Sequence, residues 1–333
     1  MSSRAADCFP SSAVIVKPGS MGDVVHALPV AAALKSAFPR CRLGWVIDER
    51  WEALLQGNPD IDDLIIFPRE RFRGISMTAA LGWATGLRRY QPDVVLDLQG
   101  LLRSGLIARA LRGRRVVGLN DAREGARWFY DDVAYVDPGT MHSVERYLAV
   151  LVPLGLKVPE KPVFRLPEGL DPPVPMSGSE IVVHPFARGE GKSLEPEVLD
   201  ALFKQLAGHP VLLVGPKREV STPSHVTSLL GRTTLAELLG VLRRAAFVVS
   251  VDSGPAHLAD ALGKGLLAIH TWSDPAQVGP YSATSHVWQD GHILPARSAK
   301  GARPGRPTMA DAEGMAEFVL GQIMKQGGEK LFP

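Results

Sequence analysis

Residues 13–38, AVIVKPGSMGDVVHALPVAAALKSAF, place a strand pattern, a turn and a helix pattern in immediate succession. The apolar, β-branched run at residues 13–16 is typical of a buried strand. Residues 17–20 contain Pro and Gly, which end such a run, and from Asp23 onward apolar residues recur at helical spacing. We therefore expect a helix that begins at Gly22 or Asp23, with free backbone N–H groups and the positive end of its dipole at the turn.

Asp23 has two interpretations. Asp is a preferred N-cap residue, so its side chain can serve only to cap the helix. Alternatively, a carboxylate at a helix start is favoured in its ionised form and suits a functional site. The turn lacks both the Gly-Lys-Ser/Thr of a Walker loop and a complete dinucleotide fingerprint, which disfavours a dinucleotide-dependent oxidoreductase. Pro29, inside the predicted helix, is expected to kink it or to end a first short turn.

A second turn of the same kind has the sequence DSGPAH at residues 252–257 and follows another apolar run. Ser253 can cap a helix there, and Pro255 suits the first helical turn. Backbone N–H groups at such a helix start are arranged to bind a phosphate, and His257 lies on the first turn. The alternative for His257 alone is a buried core histidine with satisfied hydrogen bonds.

Strand and helix patterns alternate along the chain, which predicts an α/β protein with parallel sheets. A chain of 333 residues is long for a single core, so we expect two domains. The Pro-rich stretch at residues 156–178 lacks periodicity and is interpreted as the linker. The predicted organisation is a flexible leader at 1–12, domains at 13–155 and 179–311, and a C-terminal helix and tail at 312–333.

The composition excludes several classes of protein. With 45% apolar and 22% charged residues, the chain is an ordinary globular protein and not a disordered one. Cys8 and Cys41 form neither a disulfide framework nor a metal-ligand pattern, which suits a reducing compartment. No apolar run reaches the length of a membrane span, and the first residues lack a signal-peptide pattern, so we expect a cytoplasmic protein.

Positive charge is concentrated in one stretch of the chain. Residues 69–130 contain twelve Arg, no Lys and five acidic residues, a net charge of +7 in a chain whose total is +2. Such a stretch suits an anionic partner: nucleic acid, phosphorylated lipid or an acidic sugar. For any single Arg, a solvated and salt-bridged surface is the simpler explanation. The preference for Arg over Lys favours recognition of planar carboxylate or phosphate groups.

Two motifs carry a resemblance to a known family: SMGDV at residues 20–24, with Leu28-Pro29, and VDSGPAHLA at residues 251–259. In combination they resemble the bacterial ADP-heptose:lipopolysaccharide heptosyltransferases of glycosyltransferase family 9, and heptosyltransferase I most closely. The resemblance extends over nearly the whole chain after residue 12. Further matches are DLQGLLRS at 97–104, ARE at 122–124, FY at 129–130 and HSVER at 142–146.

The resemblance implies the GT-B fold, in which two Rossmann-like α/β domains with parallel sheets face each other across a cleft. It implies an inverting, metal-independent enzyme that moves a heptose from ADP-heptose to a Kdo residue of the lipopolysaccharide inner core (Kdo-lipid A). No cofactor is implied, since ADP is a product. Such an enzyme works at the cytoplasmic face of the inner membrane of a Gram-negative bacterium, in peripheral contact with it, without nucleic acid or an obligate protein partner.

The resemblance also implies roles for individual residues. Asp23 is the general base that takes the proton of the acceptor hydroxyl, and Lys192 offsets the charge of the departing diphosphate. The donor-binding set is Lys192, Glu219, Asp252, Ser253, Gly254, Pro255 and His257. The acceptor-binding set is Ser20, Met21, Gly22, Arg69, Arg71, Arg73, Gln99, Arg103, Arg123, His142 and Arg146.

The sequence departs from the family pattern in two places. The family usually has an aromatic residue shortly after the donor lysine, whereas Ser193-Leu194 follows Lys192. Ser253 stands where heptosyltransferase I often has Thr, which keeps the hydroxyl. Asp60-Ile61-Asp62 has the form of a metal-binding motif but is interpreted as a polar turn.

Two alternatives to a heptosyltransferase of this kind stay open. One is a family 9 enzyme with a different donor or acceptor, and the other is a non-catalytic nucleotide- or anion-binding protein on the same scaffold.

Overall fold

The apolar, β-branched runs form the strands of two sheets in the computed structural model, which describes residues 10–70, 77–137 and 139–329. The chain divides into two units, Met1–Pro167 and Glu168–Pro333, and each unit contains one sheet. The division after Pro167 falls within the stretch interpreted as a linker. Residues 1–9 of the predicted leader lie outside the described residues.

The first unit is an α/β fold with a six-stranded parallel sheet in the order β3-β2-β1-β4-β5-β6. Its strands are β1 (Ser12–Val16), β2 (Arg42–Asp48), β3 (Asp63–Phe67), β4 (Val94–Asp97), β5 (Arg115–Leu119) and β6 (Asp132–Ala134). Its α-helices are α1 (Met21–Ala37), α2 (Met77–Leu87), α3 (Leu102–Ala110) and α4 (Ser143–Leu148), with 3-10 helices at Glu49–Leu54, Ala126–Phe129 and Ala149–Leu154. This strand order reverses between β1 and β4, and ligands of such sheets bind beyond the carboxyl ends of those strands.

The second unit repeats the plan with a seven-stranded sheet in the order β13-β12-β11-β10-β7-β8-β9. Its strands are β7 (Ile181–His184), β8 (Val211–Leu213), β9 (Val226–Ser228), β10 (Phe247–Val251), β11 (Leu266–Ile269), β12 (His286–Gln289) and β13 (His292–Pro295), of which only β13 pairs antiparallel. Its helices are α5 (Pro196–Gln205), α6 (Leu235–Arg244), α7 (Gly254–Ala261), α8 (Pro275–Val278) and α9 (Met309–Glu329), with a 3-10 helix at Ala296–Ser298. The order reverses between β7 and β10, so the second crevice lies at their carboxyl ends.

Several element boundaries differ from the sequence-based expectations. Helix α1 begins at Met21 because Ser20 is the N-cap, and it continues through Pro29. Helix α9 begins at Met309 instead of residue 312, because the Asp311 carboxylate accepts hydrogen bonds from the backbone and hydroxyl of Thr308. Strand β1 begins at Ser12, the last residue assigned to the leader.

Strands β6, β9, β12 and β13 were not anticipated from the sequence. Each has only three or four residues, and their sequences mix polar with apolar side chains. Strands β8 and β11 are as short but continuously apolar, which marks them as buried strands. A short run of mixed polarity lacks that signal, so its place in the sheet is decided by the neighbouring strands with which it pairs.

Candidate functional site

The turn between β1 and α1 holds Asp23 at the crevice of the first sheet. Ser20 is the N-cap of α1, and Asp23 is the third helical residue. The Asp23 Oδ2 atom accepts hydrogen bonds from the Ser20 backbone N–H at 3.1 Å and from its hydroxyl at 2.8 Å. Asp23 is therefore not the N-cap residue, although its carboxylate does help to close the helix start.

Two residues that the sequence analysis did not assign complete the surroundings of Asp23. The buried Tyr147 of α4 donates its hydroxyl to Asp23 Oδ1 at 2.7 Å. Lys17 Nζ lies 3.7 Å from the same oxygen and 4.8 Å from the centre of the Tyr147 ring. Lys17 directly follows β1 at the carboxyl edge of the sheet, which is a signal in the sequence, whereas nothing near Tyr147 in the sequence points to Asp23.

These contacts fix the charge of Asp23. Burial opposes ionisation, but the Lys17 ammonium and the hydrogen bonds from Tyr147 and Ser20 outweigh it and hold the pKa of Asp23 well below its ordinary value. The Lys17 side chain is only 3% exposed, and burial lowers its own pKa although Asp23 acts against this. The Asp23 side chain remains 37% exposed, so an ionised carboxylate is accessible to a ligand.

The connection between β4 and α3 carries Gln99 and Arg103. It is held by Asp97, a fully buried carboxylate that accepts hydrogen bonds from the backbone N–H of Gln99 at 3.0 Å and from the Tyr130 hydroxyl at 2.8 Å. The exposed Arg103 guanidinium lies 5.9 Å from the Phe67 ring centre. This arrangement presents Arg103 at the same edge of the sheet as the turn that follows β1.

The remaining acceptor candidates have different surroundings. Arg146 forms a paired hydrogen bond with Asp121, one arm of which is 2.9 Å. His142 is buried, is the N-cap of α4, and accepts a hydrogen bond from the Val144 N–H at 3.1 Å. Arg123 is exposed, and its backbone N–H bonds to the Gly100 carbonyl at 2.8 Å.

Arg69 lies 3.9 Å from the buried carboxylate of Asp48, which Arg50 also contacts at 2.7 Å. Arg71 and Arg73 lie outside the described residues. Of the first turn, Ser20 is exposed, whereas Met21 and Gly22 are partly exposed.

Two acidic residues that directly follow the basic stretch at residues 69–130 neutralise part of its charge. Arg109 pairs with Asp131 at 2.9 Å, and Arg115 pairs with Asp132 at 2.5 Å. The salt-bridged surface is thus the better explanation for Arg109 and Arg115.

In the second unit, the turn between β10 and α7 lies at the β7/β10 crevice. Ser253 is the N-cap of α7, with Pro255 in the first turn, as the sequence predicts. The Ser253 hydroxyl lies 3.1 Å from His184 Nδ1 at the end of β7. Burial lowers the pKa of His184 to about 4, so this imidazole is neutral near pH 7.

Asp252 is held by side chains from two elements. The Ser273 hydroxyl donates to Asp252 Oδ2 at 2.6 Å, and His257 Nε2 lies 3.7 Å from Oδ1. His270 Nδ1 lies 2.9 Å from the Ser273 hydroxyl. Since that hydroxyl gives its one proton to Asp252, the proton between His270 and Ser273 belongs to His270 Nδ1.

Lys192 and Glu219 belong to connections that follow β7 and β8. The Lys192 ammonium lies 3.9 Å from the centre of the Trp272 ring, and Trp272 comes from the connection after β11. Glu219 is exposed and lines a cavity of about 810 Å³ together with Arg218, Phe186 and Arg188. The Arg218 guanidinium lies 4.8 Å from the Phe186 ring centre. The second unit therefore offers a helix start with Ser253 as its N-cap residue, the carboxylate of Asp252 held by Ser273, and the Lys192 ammonium on an aromatic face.

The described residues contain neither a membrane-spanning helix nor a cluster of metal-binding side chains. Within residues 10–70, 77–137 and 139–329, no helix combines the length and the apolar character that crossing a bilayer requires. In the same part of the chain no three His, Cys, Asp or Glu side chains are grouped so that they could hold a metal ion. Asp60 and Asp62 of the Asp-x-Asp pattern instead accept charged hydrogen bonds, from Arg165 and Lys35 respectively.

A match to a protein family covers about two thirds of the chain. The sequence pattern described as "Glycosyltransferase family 9 (heptosyltransferase)" matches residues 81–300. Among curated proteins, the lipopolysaccharide core heptosyltransferase OpsX of Haemophilus influenzae is 23% identical over 84% of this chain and 84% of its own. Lipopolysaccharide heptosyltransferase 1 of Escherichia coli K12 is 27% identical over 82% of this chain and 92% of its own.

Solved structures share the fold. The Escherichia coli heptosyltransferase WaaC with ADP superposes with a TM-score of 0.76 at 23% identity, over 93% of this chain and 99% of that one. The Escherichia coli ADP-heptose lps heptosyltransferase II has a TM-score of 0.72 at 18% identity, over 95% and 99% of the two chains. The two α/β units with parallel sheets are therefore those of the GT-B fold, as the resemblance in the sequence implies.

Proposed function

The chain belongs to glycosyltransferase family 9, and we propose that it transfers a heptose from ADP-heptose to a Kdo residue of the lipopolysaccharide inner core. Membership of this family makes it a glycosyltransferase. The donor and acceptor are proposed from the resemblance of its motifs to heptosyltransferase I and from the names of its relatives. The observation that carries the proposal is the ionised, accessible carboxylate of Asp23 at the β1/β4 crevice.

Asp23 acts as the general base in the proposed reaction. A sugar hydroxyl is too weakly acidic to attack while protonated, so a positioned carboxylate must accept its proton as the new bond forms. The acceptor oxygen bonds to the anomeric carbon of the heptose while the bond from that carbon to the ADP oxygen breaks. The electron pair leaves with ADP, the proton passes to Asp23, and the configuration inverts in this single step.

The donor is bound by the second unit. The backbone N–H groups of Ser253 and Gly254 at the start of α7 suit the diphosphate, whereas Pro255 has no N–H and those of Ala256 and His257 donate to the Ser253 carbonyl. The Lys192 ammonium offsets the charge that develops on the departing ADP. Asp252, held by Ser273 and His257, would accept hydrogen bonds from the heptose hydroxyls. Glu219, on the rim of its cavity, would accept from the ribose hydroxyls.

The acceptor is bound by the first unit, where carboxylates of Kdo and phosphates of lipid A suit exposed guanidinium groups. Among the arginines of the acceptor set that the structure describes, Arg103 and Arg123 are exposed, and Arg146 is held by Asp121. Because the acceptor is a lipid, we also expect peripheral contact with the cytoplasmic face of the inner membrane. Cosedimentation with anionic vesicles at low salt checks that expectation.

Product analysis tests the proposal. The purified chain is incubated with ADP-heptose and Kdo-lipid A, and the product is examined by mass spectrometry and by the configuration of the new bond. We expect one added heptose of inverted configuration, ADP as co-product, and a rate unaffected by EDTA because no cofactor or metal takes part. A product of retained configuration, or release of ADP without transfer to any acceptor, would contradict the proposed reaction.

A related enzyme with another acceptor is the second candidate. The relatives also include lipopolysaccharide heptosyltransferase 3 of Escherichia coli, at 25% identity. Two acceptors distinguish the two candidate functions: Kdo-lipid A, and an acceptor that already carries heptose. Transfer to the heptose-bearing acceptor alone favours the second candidate. A chain that binds ADP but transfers to neither is a non-catalytic binding protein.

A further inference from the structure

Trp272 is an exposed tryptophan at the donor end of the second sheet. Its side chain is 54% exposed, in the connection that leads from β11 to α8. By contrast, Trp288 of β12 and Trp45 of β2 are buried, and their ring N–H groups donate to Asp311 and to the Lys17 carbonyl respectively. Trp272 therefore does not belong to the hydrophobic core.

A cation lies over one face of this indole. The Lys192 ammonium lies 3.9 Å from the ring centre, within the distance at which a cation over an aromatic face is attracted by the ring electrons. Lys192 belongs to the connection after β7, so the contact joins two loops that are distant in the sequence. The residues following Lys192 offer it no ring: Leu194 is buried, and Ser193 bonds back to the Ala187 N–H at 3.1 Å.

The same loop also holds Asp252. Ser273, next to Trp272 in the chain, donates to the Asp252 carboxylate at 2.6 Å and lies 2.9 Å from His270. One short connection thus fixes a carboxylate through its hydroxyl and a cation through its ring. A connection that served only to join two elements would not need to expose an indole to do so.

We propose that Trp272 is a positioning residue that holds the Lys192 ammonium where it meets the diphosphate of the bound nucleotide. The inference rests on the proposed role of Lys192 in donor binding. A lysine side chain has four rotatable bonds and loses considerable freedom when it is fixed. The indole face removes part of that freedom before the nucleotide arrives, so more of the pairing energy appears as affinity.

ADP binding measured by calorimetry tests this without any acceptor. Trp272→Ala is expected to weaken ADP binding by roughly 2- to 30-fold, the range that corresponds to a cation over an aromatic ring. Trp272→Phe keeps a ring and is expected to restore most of the affinity. Trp272→Leu keeps apolar volume without a ring and is expected to behave like the alanine variant.

A double-mutant cycle with Lys192→Met separates positioning from mere packing. If the Trp272 ring acts through Lys192, then adding Trp272→Ala to the Lys192→Met variant, which already lacks the ammonium, changes ADP affinity little. Trp128→Ala is the matched control, because Trp128 is 86% exposed in the first unit; we expect it to leave ADP affinity unchanged. Thermal unfolding of each variant shows whether it remains folded.

The outcomes distinguish this inference from the proposed function. If Lys192→Met weakens ADP binding but Trp272→Ala and Trp272→Leu do not, Trp272 has no positioning role, and the donor role of Lys192 stands. Additive losses in the double variant overturn the inference in the same way. If the wild-type chain does not bind ADP, or Lys192→Met has no effect, the donor assignment and the inference fail together.

Discussion

At the residue scale, Asp23 shows what the sequence can and cannot reveal. Its place after a strand, a Pro/Gly turn and a helix start marks it as a site candidate, because those signals are local. Its charge is decided by Lys17 and by Tyr147, which is 124 residues away in the chain. No periodicity or spacing encodes a contact at that separation, so the group that controls this carboxylate becomes visible only in the folded unit.

Tyr147→Phe tests the importance of that contact. The Tyr147 hydroxyl favours the ionised carboxylate, so its removal raises the pKa of Asp23 toward the ordinary value. The acid limb of the pH profile of kcat/KM is therefore expected to move to higher pH. The carboxylate also loses an orienting partner, and we expect kcat to fall by roughly 10-fold or more.

Tyr130→Phe is the matched control for this variant. Tyr130 also donates its hydroxyl to an aspartate in the first unit, at 2.8 Å, but that aspartate is Asp97. Both variants lose one hydrogen bond to a carboxylate and should lose a similar free energy of unfolding, about 1.5–3 kcal/mol. Only Tyr147→Phe should move the pH profile; an equal shift in both variants would show that the effect is general and not carried by Asp23.

At the scale of elements, amphipathic helices and continuously apolar strands were predictable, whereas short strands of mixed polarity were not. The pattern Thr234-x-x-Glu237 is that of a capping box and predicts a helix start, and α6 begins at Leu235 with both hydrogen bonds of the box formed. The expectation that Pro29 ends a first short turn is wrong, because α1 continues from Met21 to Ala37. Residues 24–32 of α1 are all buried, so packing on both sides of this helix outweighs the hydrogen bond that Pro29 cannot donate.

Two glycines in helix interiors give a prediction at this scale. A Cβ added at Gly240 of α6 would collide with the Leu170 carbonyl, a backbone atom that cannot move aside cheaply. A Cβ at the exposed Gly314 of α9 meets nothing within 4 Å. We expect Gly240→Ala to lower the free energy of unfolding by about 1–3 kcal/mol, and Gly314→Ala to raise it by about 0.5–1 kcal/mol.

Urea unfolding of the two variants measures both effects. The substitutions are chemically identical and both improve helix propensity, so propensity cancels in the comparison. Equal stability changes in the two proteins would mean that the approach of residue 170 to α6 does not constrain this helix.

At the scale of the whole molecule, the sequence was sufficient for the fold class but not for the details of binding. Alternating patterns predicted two parallel α/β sheets, and both units have the same strand order around their crevices. The charge of the stretch at 69–130 was also visible in the sequence. The sequence does not show which arginines of this stretch are paired, because Asp131 and Asp132 lie just beyond residue 130 and form ion pairs with Arg109 and Arg115.

The uneven charge predicts a difference in salt dependence between the two substrates. Exposed arginines attract an anionic lipid acceptor over a distance that salt screens, the Debye length being about 10 Å at 0.1 M. Acceptor affinity should therefore fall steeply with salt, and ADP affinity should change much less, because the groups proposed to hold ADP are one ammonium and backbone N–H groups at short range. Equilibrium binding of each ligand across a salt series measures both.

Arg103→Gln and Arg109→Gln refine this measurement. Arg103 is exposed and proposed to contact the acceptor, whereas Arg109 is already paired with Asp131 at 2.9 Å. The first variant should weaken acceptor binding and flatten its salt dependence, and the second should do neither. Equal salt sensitivity for acceptor and ADP would remove the reason for placing the acceptor on the first unit.

The central claim is that Asp23 is the base of a heptosyl transfer, and the most direct test compares transfer with binding in Asp23→Asn. The rate of heptose transfer from ADP-heptose to Kdo-lipid A and the affinity for ADP are measured on the same preparations, with Asp131→Asn as a surface control. We predict that Asp23→Asn loses roughly a factor of a hundred or more in rate while it binds ADP as the wild type does. Transfer at an undiminished rate by Asp23→Asn would contradict the account.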